Sequence, residues 1–232
     1  MRKDDTMFQG FSQGTVDFLW NLRFNNERPW FLAHKQEFLD LVDRPMRELA
    51  QAVTAAMVEE FPKLQLECKV SRIYRDARRL HGRGPYKDHL WFSLRKPGEK
   101  DSAVPCLFFE IAPEYYCCGV GCYDPKPTTM AKLRARIDRD PKPLEKLVRQ
   151  VNRHPELHLE SKAYKRPKGD PGPLLYPWYN ARQISLLREE NFEGVAFTPQ
   201  LYDQVLADLR TLAPIYEYLR QLPSDPERSQ EV

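Results

Sequence analysis

Seven cations stand within the stretch Lys69 to His89: Lys69, Arg72, Arg75, Arg78, Arg79, Arg83 and Lys87. Two carboxylates, Asp76 and Asp88, oppose them, so the stretch carries +5 against +3 for the whole chain and −2 for the remainder. Arginine forks match the paired oxygens of carboxylates and phosphates, and lysine adds a point charge. Gly82 and Gly84 let the loop from Arg78 to Pro85 curl its cations toward the end of the preceding segment. The pattern predicts a site for an anionic, phosphate- or carboxylate-bearing small molecule. Its binding residues are Arg72, Arg75, Asp76, Arg78, Arg83, Tyr86 and Lys87, with Trp30 as a wall. Asp76 lies between Arg75 and Arg78, which favour its charged form and make it a poor base, so its expected part is to orient the arginines.

Two other readings fit the same residues. The cations and tyrosines (Tyr74, Tyr86) suit a nucleic-acid backbone and its stacked bases. The net charge of +3 and a pI near 8.5 are modest for that role. Alternatively, Arg–Asp pairs involving Asp76, Asp88, Glu37 or Glu59 form a purely structural network with no ligand.

Nothing in the sequence assigns a catalytic residue, a reaction or a cofactor. It has no P-loop, dinucleotide fingerprint or G-x-S-x-G. Cys117, Cys118 and Cys122 lack C-x2-C pairing and a nearby histidine, so they read as small apolar strand residues and no metal is expected. His154 and His158 have i, i+4 spacing, but Pro155 stands between them and the glutamate of a zinc motif is missing. Glu110 is the polar end of the apolar run Leu107-Phe108-Phe109. Five cysteines without a secretion signal point to reduced thiols and a cytoplasmic protein. No apolar run is long enough for a membrane span. The oligomeric state is not legible.

The positioning elements follow from period and punctuation. Val16, Leu19 and Leu22 repeat at helical spacing, with Ser12 or Thr15 as cap and Asn25-Asn26 as stop. A second helix opens near Pro29, and Pro45 is expected to break or kink it. Met46, Leu49, Val53 and Met57 mark a third helix. The period then changes. Leu64 to Val70, continuing to Arg75, is expected to be strand, as are His89 to Arg95, Val104 to Ile111 and Tyr115 to Tyr123. Gly119 and Gly121 share one side of the last of these, which invites close approach of a backbone or ligand. Helices return with Thr128 or Thr129 as cap, again at Asp140-Pro141, and finally at Thr198-Pro199, with Pro214 expected to kink the last one. Residues 154–180 read as a long loop, and Ile184 to Leu187 as strand or helix. The expected fold is α+β, an antiparallel sheet covered by N- and C-terminal helices, in a single domain over 8–222 with a polar disordered tail at 223–232.

Several segments carry a resemblance: FL-x5-NN-x3-WF-x2-HK at Phe18 to Lys35, RIYRDAR at Arg72 to Arg78, PYK at Pro85 to Lys87, Gly119-x-Gly121 and LRARI at Leu133 to Ile137. Over about Phe8 to Leu222 the chain resembles the bacterial family called domain of unknown function 2461. The resemblance implies one α+β domain and supplies no reaction. Where that family has a Ser-Lys-Asp-Lys-like run, this chain has Gly82 in place of the Asp and keeps a cation at Arg83. The loss of that carboxylate favours binding over catalysis.

Overall fold

Ser12 starts the first helix. Its Oγ accepts the Thr15 N–H at 3.3 Å, and the Thr15 Oγ1 accepts the Ser12 N–H at 3.1 Å. This reciprocal cap satisfies two donors that a helix start leaves open. Helix α1 (Gln13–Phe24) follows and closes at Asn25. Then come α2 (Arg28–Ala33), α3 (Lys35–Phe38) and α4 (Arg44–Glu60). Pro45 does not break the run. A π-helical turn, Leu39–Asp43, precedes it, and the proline falls in the first turn of α4, where its missing N–H costs nothing. The computed structural model describes residues 8–76, 78, 82–98 and 103–226.

The strands are β1 (Glu67–Val70), β2 (Leu90–Arg95), β3 (Cys106–Ile111), β4 (Tyr115–Cys122), β5 (His158–Glu160) and β6 (Ile184–Asn191). They form one antiparallel sheet in the order β1-β2-β3-β4-β6-β5. The first four make the expected meander. β6 enters between β4 and β5, and it pairs with β5 through Leu159↔Leu186.

Local chemistry moved several boundaries. Leu64 lies in a 3-10 turn and Gln65 is left-handed at φ 52°, so β1 starts only at Glu67. Pro105 has no N–H for the ladder, and β3 begins one residue later. Ser71 to Arg75 is not a strand and returns only as the isolated bridge Tyr74↔Tyr86. Residues 154–180 hold β5 and a short helix α7 (Tyr176–Tyr179). Helix α5 (Pro127–Arg139) is preceded by Lys126 rather than capped by Thr128 or Thr129, because Pro127 takes its first position. Asp140 Oδ1 accepts the Lys142 N–H at 3.2 Å at the start of α6 (Lys142–Val151). Helix α8 (Gln200–Arg220) runs through Pro214.

Contacts divide the chain into two units. The first holds the described residues up to Leu94 with Phe108–Cys118 and Glu189–Ala207. Its core joins Leu19, Leu22, Phe31, Met46, Leu49 and Met57 from the helices to Phe92, Phe109 and Tyr116 from the strands. Phe92 stacks on Phe109 at 5.6 Å. The second unit holds Arg95–Leu107, Gly119–Arg188 and the described residues from Asp208. Leu133, Leu144, Leu175, Leu209, Leu212 and Tyr216 fill it. Arg188 spans Asp208 there with bonds of 2.7 and 3.0 Å, so the buried carboxylate is fully paired. Asp225, assigned to the tail by sequence, is held by Arg136 at 2.6 and 2.7 Å, while residues 227–232 lie outside the described residues.

Gly119 and Gly121 have the backbone reading. A Cβ at Gly119 would stand 2.6 Å from the Leu186 carbonyl oxygen, and one at Gly121 2.7 Å from that of Ile184. Because backbone rather than a flexible side chain is in the way, Gly119→Ala is expected to cost about 1–3 kcal/mol. A urea-unfolding midpoint unchanged by the substitution would contradict that packing.

Candidate anion site

The site belongs to the first unit. Ser71 is the last residue of its segment tied to β2: its N–H donates to the Trp91 carbonyl at 2.8 Å, and its Oγ accepts the Trp91 N–H at 3.2 Å. The chain then swings out and back. Arg75 N–H donates to Pro85 O, and Lys87 N–H to Ile73 O, both at 2.8 Å. Gly82 turns at φ 78° in this excursion. Asn26 grips the returning limb, with its amide donating to Tyr86 O and accepting from Tyr86 N–H, both at 2.9 Å. The side-chain amide thus substitutes for a neighbouring strand. A Cβ on Gly84 would collide with it, which is why that position has none.

The predicted residues part company on this scaffold. Tyr86 is 2% exposed and stacks on Phe31 at 4.1 Å, so its ring is core and not the wall of a site. Arg75 turns inward. Its Nε donates to Tyr86 O at 2.7 Å and its Nη2 to Asp88 Oδ1 at 3.4 Å. Arg78 is exposed and forms a fork on Asp76, with Nε at 3.1 Å and Nη2 at 2.9 Å. Arg83 is exposed. Arg79 lies outside the described residues. Arg72, Arg83 and Lys87 form no ion pair with a carboxylate among the described residues, and of the three Lys87 is the one drawn inward, with Glu110 acting on it only through its field. Lys87 stands with its ammonium 4.1 Å above the Trp91 ring. The Trp30 proposed as a wall stacks instead on His34 at 4.2 Å.

Asp88 is the electrostatic centre. It accepts from His89 Nδ1 at 3.0 Å and from Arg23 Nε at 2.6 Å, besides the longer bond from Arg75. The hydrogen bond from His89, and then Arg23, hold its carboxyl well below the usual carboxylate range. Arg23 reaches on to Glu114 in a two-pronged pair, one bond of which is 2.9 Å, and lowers that carboxyl as well. α1 is thereby pinned to the segment before β2 and to the turn after β3.

Lys87 has the opposite environment. Burial, then Arg75 and Arg72, push its ammonium down to about 8, and Glu110 only partly offsets them. Glu110 accepts the Tyr115 hydroxyl at 3.0 Å. Burial, then Glu110, raise that phenol above its ordinary value. Lys87 thus stands beside an aromatic face, in the field of Arg75 and Arg72 and only partly offset by Glu110.

Sequence reasoning missed Arg23, Glu114 and Trp91 as parts of the site, and had Asp88 only as a carboxylate of the purely structural alternative. The alternation Lys87, His89, Trp91 was a usable signal, since residues two apart share a face of extended chain. Arg23 carried none, because its partners stand 65 and 91 positions away. Among the described residues no group of His, Cys, Asp or Glu could hold a metal ion, and no helix is long and apolar enough to cross a membrane.

Comparison with known families finds one matching over residues 14–218, described as conserved hypothetical protein, DUF2461. A search of curated proteins finds no match. The chain belongs to the DUF2461 family.

Proposed function

We propose that this DUF2461 member binds a small phosphate- or carboxylate-bearing molecule on Lys87 and Arg72, over the Trp91 face. The observation that supports this reading is the half-buried Lys87 ammonium, placed among other cations with no ion-pair partner and only the partial offset of Glu110. Holding such a group costs free energy, and an anion would relieve the cost. Arg75 serves as the positioned positive charge behind the pair. The structural network takes Arg23, Arg75, Asp88 and Glu114, and leaves Arg72 and Lys87 for a ligand. Asp76 and Arg78 engage each other outside that cluster, and Arg83 adds only to the surrounding field.

Titration with inorganic phosphate at constant ionic strength tests the reading by thermal unfolding. A ligand at about 100 times its Kd stabilises the native state by about 2.7 kcal/mol. Wild type and Arg78→Gln are expected to respond alike, and Lys87→Gln and Arg72→Gln to lose the response. The response is also expected to fade above about pH 8 as Lys87 deprotonates. Equal shifts in all four proteins, or none in wild type, would refute the site.

A further inference from the structure

A second positive region lies in the other unit. Residues 126–168 contain thirteen lysines and arginines against five carboxylates, a local +8 in a chain of +3. The balance of the whole chain hides it, since acidic segments elsewhere cancel it. Part of this charge is ordered into one row. Lys142, Lys146 and Arg149 are exposed on α6, and Arg153 continues the row in the turn beyond it. Spacings of four and three residues keep the three helical cations on one side, along about 10 Å of helix axis, and Arg153 lines the same depression from the turn. An open depression of about 330 Å³ runs among these side chains, with Glu145 and Gln150. Glu145 is paired to Arg149 at 3.6 Å. Asp140 accepts the Lys142 backbone N–H at 3.2 Å, and no carboxylate besides Glu145 forms an ion pair with the row's side chains among the described residues.

We propose that this face of α6 docks the sugar–phosphate backbone of a nucleic-acid duplex. A row of evenly spaced, solvated cations complements a row of phosphates and needs no base contact. The chemistry of the helix separates the alternatives. An anionic membrane surface would ask for an apolar face to insert, and that face is spent, because Leu144, Val148 and Val151 are at most 3% exposed. Single strands are held largely by stacking on aromatic rings, and none lines the depression. This surface is distinct from the Lys87–Arg72 cluster and stands or falls without it.

The test is binding of a short DNA duplex of arbitrary sequence, followed by fluorescence anisotropy across salt. With three phosphates engaged, affinity is expected to fall about 40-fold between about 50 and 200 mM salt. The variant Lys142→Gln, Lys146→Gln, Arg149→Gln, Arg153→Gln is expected to lose at least about tenfold at low salt and most of the salt slope. Its far-ultraviolet circular dichroism and melting temperature should match wild type, since all four residues are exposed. Lys146→Glu alone should weaken binding several-fold. Arg78→Gln with Arg83→Gln, on the other unit, should leave binding unchanged. Undiminished binding by the quadruple variant would overturn the proposal. So would competition by polyglutamate or phosphatidylserine vesicles as effective as that by unlabelled duplex.

Discussion

Asp88→Asn is expected to lower stability at pH 7 by about 2–3 kcal/mol, the range for removing the charged acceptor of several part-buried donors, discounted for solvent. The carboxylate serves Arg23, Arg75 and His89 together. Arg23 retains Glu114, but Arg75 is only 14% exposed and would keep just the Tyr86 carbonyl. Asp76→Asn is the contrasting case. Its arginine partner, Arg78, is 88% exposed, so solvent screens that pair and the loss should be clearly smaller than that of Asp88→Asn. Both carboxylates pair with arginine, but Asp88 is the more buried and gathers donors from three residues, Arg23, Arg75 and His89. Because the folded-state pKa of Asp88 is depressed, its contribution is complete above its unfolded value of about 3.9 and disappears as pH falls through the folded value. Wild type should therefore lose stability below about pH 4 faster than Asp88→Asn does. Urea unfolding at pH 7 and pH 3 measures both effects. If Asp88→Asn costs no more than Asp76→Asn, the network is a surface decoration and α1 is held by packing alone.

The contrast between these two aspartates shows where sequence reading stops. Elements set by neighbours in the chain were legible. Ser12 and Thr15 cap one another over three residues, Asn25 closes the same helix, and the alternation in Leu107, Phe109 and Ile111 marks a core strand. The α+β class followed from the change of period. The site was legible as a charge cluster but not as a geometry. Tyr86 stands among cations in sequence yet is core, because Phe31 and Asn26, more than fifty positions away, cover it. Arg72 and Arg75 are chemically the same, and which of them faces inward depends on how the chain doubles back to bring Pro85 and Tyr86 against Arg75. Net charge misled for a simpler reason. The −2 outside Lys69–His89 is a sum, and it concealed the +8 of residues 126–168.

Lys87→Met separates binding from stability in the sharpest way. The substitution keeps an unbranched side chain against Trp91 and removes the charge. Burial and the two arginines lower the Lys87 pKa from 10.5 to about 8, so the folded protein disfavours the proton that the unfolded chain readily keeps. The penalty is full below about pH 8 and fades as pH rises to about 10.5, because across that window the unfolded state binds more protons than the native one. After discounting for partial exposure, the variant should be more stable than wild type by about 1–2 kcal/mol at pH 7. That advantage should shrink to near zero by about pH 10.5. The same variant should lose its stabilisation by phosphate. A gain in stability coupled to a loss of anion response is the signature of a group kept for function at a cost to the fold. If Lys87→Met is instead less stable than wild type at pH 7, the ammonium contributes through its contact with Trp91, for which about 0.5–1 kcal/mol is typical, and its lack of an ion-pair partner no longer argues for a ligand. Chemical denaturation of the two proteins at pH 7 and pH 10, with and without phosphate, distinguishes these outcomes.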